Sequence, residues 1–458
     1  MRFERRDVEG EVYVTNIDVT AAHCEGAAPS VCFVTLGCAK NEVDTAEMTK
    51  RVISVGMRVV DDPSAADAVV VNTCSFIQAA TEESIECIFE ICGLENFENG
   101  RSKLVVAGCM PARYGSDLEG ELAEASAFVP CSKEDDIARV LCDVLGFDAA
   151  LEAQDCASPY AASPASYVKI SDGCDRFCSF CAIPYIRGAY HSFPYEAVRE
   201  AVAERVRAGV REVTLIAQDT GRWGEDFDEP DTTAHLLDRL AAEFPDTWFR
   251  LMYIEPQGVT DELLDVIASR SNVCSYLDVP LQHASQKILR SMNRRGNSQR
   301  HLELVKRMRE RVPGITLRTT LIAGFPGETD QDFEELIGFL EEAEFDYAGV
   351  FPYSAEEGTR AATLPDQIDE DVKIARAQEV RDLSDAIGEA HVSQRIGHEM
   401  DVLVLGREED GQLYGRAMCQ APEVDGVVYL EEGEIGEIVR VKITDTLVYE
   451  MEGEVIHG

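Results

Sequence analysis

Cys174, Cys178 and Cys181 lie in a CxxxCxxC array inside the stretch ISDGCDRFCSFCAIPYIRG. Thiolates this close repel one another unless a metal takes their charge. The spacing differs from the paired CxxC…CxxC of structural zinc sites. Three thiolates satisfy three irons of a four-iron, four-sulfur (4Fe-4S) cubane and leave the fourth open, which points to chemistry on a bound substrate. The alternatives are a zinc site with His191 as fourth ligand, and a chance cluster of packed cysteines.

A second set emerges from the elements that must carry it. Residues 31–38 (VCFVTLGC), 68–74 (AVVVNTC) and 104–109 (LVVAGC) read as buried strands, each ending in a cysteine. Helical stretches follow them, first NEVDTAEMTKRVISVG and then 79–93, 112–125 and 133–145, so the pattern predicts a parallel α/β sheet. Ligands of open parallel sheets sit outside the carboxyl ends of the strands. Cys38, Cys74 and Cys109 thus form a second three-thiol set, unless small sulfur side chains merely happen to end buried strands. Cys32, Cys87, Cys92, Cys131, Cys142, Cys274 and Cys419 read as core. Cys24 has no evident partner.

The chain has 458 residues, 45% of them hydrophobic, enough for several domains. No apolar run approaches a membrane span, and the charged MRFERRDVEG lacks the apolar centre of a signal peptide. A cytoplasmic protein is expected, and in that reducing setting fifteen cysteines are metal ligands or core rather than disulfides. The net charge of −43 disfavours a nucleic-acid substrate and favours a basic partner, unless it reflects an acidic source proteome.

Residues 1–30 form an extension and 31–146 the first domain. Residues 147–166, rich in Ala, Ser and Pro, read as a linker. A six-fold alternation fills 167–391. Its strands are expected at 167–171, 212–217, 248–254, 276–280, 315–322 and 347–352. Its helices are expected at 195–208, 233–243, 260–270, 285–311, 329–343 and 369–391. Six β/α units predict a partial barrel with the cysteine loop on its catalytic face. Five short Gly-punctuated strands in 392–458 predict a small β-barrel. That segment has 15 acidic and 5 basic residues, the wrong balance for the basic groove of an oligonucleotide binder.

Gln218 and Asp219 end the second barrel strand and are placed either to contact cofactor polar groups or to make an ordinary turn. Arg318 on the fifth strand suits a carboxylate clamp or a structural ion pair. Gly324 in LIAGFPGE allows close backbone approach to a nucleoside, or a tight turn. His283 reads as a satisfied core histidine.

CDRFCSFC after a first barrel strand resembles the radical S-adenosylmethionine enzymes. TLGCAKNEVDTAEM, VNTCSFI and AGCMPARY, followed by a C-terminal barrel, are similar to the methylthiotransferases of that group, which end in a TRAM (OB-like) domain. LGCAKNEVDT, IAQDTGRWG, VPLQHAS and VFPYSAEEGT resemble the type that modifies an aspartate of a small-subunit ribosomal protein. The tRNA adenosine methylthiotransferases usually carry Arg-Pro where this chain has Glu356-Glu357, and their TRAM domain is basic. Ala39 departs from the Pro usual in the family, and residues 1–30 lie outside the match.

The resemblance implies a radical-generating 4Fe-4S cluster on Cys174, Cys178 and Cys181 and an auxiliary 4Fe-4S cluster, carrying sulfur, on Cys38, Cys74 and Cys109. It implies S-adenosylmethionine as co-substrate, with Phe180 against the adenine unless it serves packing alone, and an aspartate β-carbon as target. The implied partners are a basic ribosomal protein, an electron donor such as flavodoxin or ferredoxin, and a sulfur source, with no membrane. A tRNA substrate, a non-catalytic iron–sulfur carrier and a zinc-stabilised binding protein remain alternatives.

Overall fold

The computed structural model describes residues 28–148 and 163–457. The linker expected at 147–166 and the extension fall mostly outside them. The chain divides into two units, 1–159 and 160–458, each taken by itself below.

The first unit is a five-stranded parallel sheet. Its strands are β1 (Ser30–Thr35), β2 (Arg58–Val59), β3 (Ala68–Thr73), β4 (Lys103–Gly108) and β5 (Ala125–Pro130), in the order β2-β1-β3-β4-β5. Every residue of β1 and β3 is buried, as strands covered on both faces require. Val34, Val69, Val71 and Val106 pack on one face with Ile88 and Ile91, and Val31, Val70 and Val105 pack on the other with Val52 and Leu141. Cys32 and Cys87 belong to these cores, and burial pushes both thiols up to about 12. The expected helix at 112–125 ends early. Gly115, at φ +51°, separates Cys109–Tyr114 from Ser116–Glu121, and β5 begins at Ala125.

The second unit carries β6 (Ala165–Lys169), a ribbon of β7 (Ser171–Asp172) with β8 (His191–Ser192), then β9 (Glu212–Ile216), β10 (Trp248–Leu251), β11 (Tyr276–Asp278), β12 (Thr316–Ala323) and β13 (Tyr347–Pro352). β10-β9-β6 and β11-β12-β13 are parallel sheets. They meet along β10 and β11, where Ile254 N donates to Asp278 O at 3.0 Å. Six parallel strands in chain order make the expected partial barrel. Helices cover it through a core including Leu215, Leu237, Leu264, Leu317, Leu336 and Val380. A capping box on Thr329 and Asp332 starts the helix Asp330–Ala343.

One expected helix, 285–311, is two. Gln286–Ser291 and Ser298–Arg311 are separated by MNRRGN. Asn293 lies at φ +60° and Gly296 at φ +152°, and Asn297 caps the second helix through Arg300 N at 2.9 Å.

The last five strands are β14 (Glu399–Arg407), β15 (Leu413–Ala417), β16 (Val428–Leu430), β17 (Ile438–Leu447) and β18 (Glu450–Val455), closed as β14-β15-β16-β18-β17. This barrel docks on the β6–β13 sheet through residues at or near strand starts. Glu212 opens β9 and accepts from Arg250 Nε at 2.8 Å and Arg416 Nη2 at 2.7 Å. Tyr276 opens β11 and donates to Asp425 Oδ2 at 2.5 Å. The small barrel therefore covers the end opposite the strand carboxyl termini.

Candidate functional site

The CxxxCxxC loop leaves β7 through Gly173, at φ +73°, where any Cβ would overlap the Ala189 carbonyl. Cys174 N then donates to Gly188 O at 3.0 Å, tying the loop to the start of β8. The segment between the two short helices grips it from the other side. Ser179 N donates to Met292 O (2.9 Å) and Ser179 Oγ to Ser291 O (2.7 Å). Asn293 Nδ2 donates to the carbonyls of Arg176 (3.2 Å) and Phe177 (3.0 Å). Breaking the expected helix is thus what brings residues 291–294 to the cysteines.

Burial pushes the Cys174 thiol up to about 11 and Cys181 up to about 12, and it raises Cys178 as well. The three thiols share the one loop of residues 174–181. As bare groups they stay protonated at neutral pH, and a metal group must displace those protons to bind. The donor set fits an iron–sulfur cluster. His191 is exposed on β8, paired across the ribbon with Asp172. Among the described residues no three Cys, His, Asp or Glu side chains converge on a single-ion site.

Gln218 and Asp219 follow β9. The Gln218 amide is buried with neither its oxygen nor its nitrogen hydrogen-bonded, and Asp219 Oδ1 is likewise unmet. Asp219 Oδ2 takes Arg176 Nε at 2.6 Å. Burial raises the Asp219 carboxyl, with Arg176 opposing and Glu255 adding to the rise. Phe180 packs against an apolar group that includes Met292, Phe325 and Tyr353. Unmatched buried polar atoms are what a polar ligand group would complete.

One expected contact, Arg318, lies elsewhere, and Gly324 follows the carboxyl end of β12. Arg318 is held by Asp425 at 3.3 Å and Asp278 at 3.5 Å, where the small barrel docks, so the ion-pair alternative is the one found. Gly324, at φ +76°, packs its α-carbon face on Lys373, where a Cβ would come within 2.6 Å of Cγ. Its N–H goes to Glu328 Oε2 at 2.9 Å, so it serves a turn. His283 is a satisfied core residue. It donates from Nε2 to Glu328 at 3.1 Å and accepts from Ser285 N at 3.0 Å, which sets its tautomer.

In the first unit, Cys74 and Cys109 come immediately after β3 and β4, and Cys38 three residues after β1. These strands are neighbours in the sheet, so the second thiol set shares one edge. A polar ladder that sequence reading missed knits the strand ends. Asn41 Nδ2 donates to Thr73 O (3.0 Å), Asn72 Nδ2 to Asn41 O (2.9 Å) and Thr73 Oγ1 to Ala107 O (2.6 Å). Gly37, at φ +101°, lies on Cys74, where a Cβ would sit 2.6 Å from Cys74 Cβ. Ala39 is the first residue of the helix Ala39–Ser54, a position that Pro also fits, so the departure leaves this start intact. Cys131 departs from the core position expected for it. It instead follows β5 at the same edge, with its sulfur 3.9 Å from that of Cys109. The signal was present in SAFVPC, an apolar strand ending in cysteine like the other three.

Residues 168–340 match the radical SAM superfamily, 30–130 an uncharacterized protein family designated UPF0004, and 396–456 the TRAM domain. The ribosomal protein uS12 methylthiotransferase RimO of Natranaerobius thermophilus is 41% identical over 435 residues, covering 92% of this chain and 98% of that protein. The RimO protein of Geobacter sulfurreducens is 40% identical, covering 94% and 99%. The radical S-adenosylmethionine methyltransferase TsrM of Kitasatospora setae, solved with cobalamin and a 4Fe-4S cluster, shares the fold. It has a TM-score of 0.53 at 14% identity, covering 72% of this chain and 74% of that one. With full-length relatives at this identity and three domain families in register, the chain belongs to the RimO family of ribosomal protein uS12 methylthiotransferases, within the radical SAM superfamily.

Proposed function

We propose that this chain methylthiolates the β-carbon of an aspartate in ribosomal protein uS12, in the cytoplasm, using S-adenosylmethionine and two 4Fe-4S clusters. Cys174, Cys178 and Cys181 hold the first cluster, and Cys38, Cys74 and Cys109 the second. The observation that carries this reading is a second three-thiol set, built from separate strand ends, in a chain that already has a CxxxCxxC loop. When bound, the first group would supply the electron that splits a carbon–sulfur bond of S-adenosylmethionine into methionine and a carbon radical able to take hydrogen from an unactivated carbon, and the second would supply a place for sulfur before transfer. The protein's part is to hold, orient and exclude water. Residues 291–293 fix the cysteine loop, and Phe180, Gln218 and Asp219 receive S-adenosylmethionine. Domain limits of 31–146, 167–391 and 392–458 belong to the same reading. Electrons come from a flavodoxin or ferredoxin, and a separate donor supplies sulfur.

The charge of the small barrel supports a basic protein target over tRNA. Of its few cations, Arg416 is buried on Glu212, and Arg440 is paired with Asp401 at 3.1 Å and Glu399 at 3.6 Å. Glu408, Glu409, Asp410, Glu431 and Glu432 are exposed. Phosphate binding needs the opposite balance. Mass spectrometry of small-subunit proteins from cells with and without the gene tests the target. Loss of a methylthio mass on a uS12 aspartate is expected, and loss of a modified adenosine in tRNA instead overturns the reading.

Two substitutions test the cofactor sites. Gln218→Leu removes a buried unmatched amide, so it is expected to stabilise the cofactor-free chain by about 1 kcal/mol while weakening S-adenosylmethionine binding about tenfold. Denaturant unfolding and equilibrium dialysis read the two effects, and unchanged binding removes Gln218 from the site. Gly37→Ala forces Cys74 aside. It is expected to lower iron content towards that of one cluster, and full iron content would count against the edge as a cluster site.

A further inference from the structure

Arg294 is a buried cation beside the cysteine loop that no step above uses. It sits in the break between the helices Gln286–Ser291 and Ser298–Arg311. Its Nη1 lies 3.7 Å from Cys178 Sγ and 2.6 Å from Glu255 Oε1, and its Nη2 donates to Pro280 O at 2.6 Å. Its backbone N–H donates to Leu289 O at 2.7 Å, so main chain and side chain are both fixed. A guanidinium neutralised by Glu255 needs no sulfur to be satisfied. Aiming one N–H at a cysteine of the array is therefore a separate feature. Hydrogen bonds to cluster sulfurs and nearby charge set the potential of an iron–sulfur centre, because each stabilises the more negative, reduced state.

We propose that Arg294 is a positioning residue that eases reduction of the cluster held by Cys174, Cys178 and Cys181, through its N–H to the Cys178 sulfur. The inference rests on that cluster assignment. The effect is local to one ligand of three. Asp219, Arg176, Glu255 and the Asp175–Arg222 pair are also charged groups around the loop; of these only Glu255 loses a partner when Arg294 is replaced by Met, and Arg294→Lys, which keeps that pair, separates the hydrogen bond from the lost cation. A charge-assisted hydrogen bond is stronger to the reduced cluster, whose sulfurs carry more negative charge. Its loss is therefore expected to lower the reduced-to-oxidised ratio at fixed potential about tenfold, or about 59 mV for one electron.

The test is a redox titration of the anaerobically reconstituted full chain. It follows the part of the reduced-cluster electron paramagnetic resonance signal that changes when S-adenosylmethionine is added. Arg294→Met is expected to need a lower potential for half-reduction and to lower kcat for S-adenosylmethionine cleavage, with KM for S-adenosylmethionine kept. Arg294→Lys keeps the cation and the Glu255 pair but has one nitrogen for three partners, and is expected to fall between the parent and Arg294→Met. A parent potential in either variant overturns the proposal and leaves Arg294 a structural ion pair. Should Arg294→Met fail to hold its cluster, Arg294→Lys decides alone. A parent chain with no S-adenosylmethionine-sensitive signal would instead refute the cluster assignment.

Discussion

Replacing Cys38, Cys74 and Cys109 together by alanine is expected to abolish methylthiolation while leaving S-adenosylmethionine cleavage. The two thiol sets are built by independent means. One is a single loop held by residues 291–293 and by Gly188, all in the second unit. The other is the edge of the parallel sheet in the first unit. Removing the second set takes no hydrogen bond from the loop that carries the first. Iron content should fall from about eight to about four per chain, the difference being one cubane. The sheet should survive, because its strength lies in the buried runs of β1, β3 and β4 rather than in residues beyond their ends. Iron and sulfide analysis, 5′-deoxyadenosine release and the mass of the uS12 product read the three outcomes. Methylthiolation by the triple variant would refute the assignment of the second set. Loss of S-adenosylmethionine cleavage along with it would show that the two sets are not independent.

What could be read before the fold was known follows from burial. β1, β3 and β4 are buried on both faces, so they appear as unbroken apolar runs, and their terminal cysteines stand out. β5 is mostly half-exposed and its apolar pattern is weak. Sequence reading therefore leaves 126–132 without an element and places Cys131 in the core. The same limit applies to Arg318. Its strand was evident, but Asp425 lies 107 residues further along, on a domain whose docking no local pattern encodes. The break at 292–297 was signalled by Asn and Gly, yet helical periodicity resumes on both sides and runs through it. Asn41, Asn72 and Thr73 were legible only as polar residues at strand and helix ends. Their joint role needs the sheet order.

Glu212→Gln is expected to destabilise the second unit by about 3–5 kcal/mol, the cost of leaving buried cations without their anion. Glu212 and Arg250 have fully buried side chains, and Arg416 is nearly so. The substitution preserves volume, so the loss reports charge rather than a cavity. Arg250 retains Met418 O at 2.8 Å and its stacking over Tyr276, but neither offsets a positive charge. Burial by itself would raise the Glu212 carboxyl. Arg416 and Arg250 outweigh it and hold the folded carboxyl below its ordinary range. A depressed carboxylate stabilises above its unfolded value, near 4.3, and loses that contribution as pH falls through the folded value. The gap between parent and Glu212→Gln should therefore stay constant from neutral pH down to about 5 and narrow only on further acidification. Urea unfolding of both proteins at several pH values measures it, and a gap that narrows already near neutrality would mean that another group carries the docking. Replacing Glu212, Arg250 and Arg416 together by apolar residues of similar volume should recover most of the loss, since the cost comes from an unpaired charge and not from the want of an ion pair. The triad would then act chiefly to orient the small barrel on the strand starts, leaving the opposite ends, where the cysteine loop lies, to the chemistry.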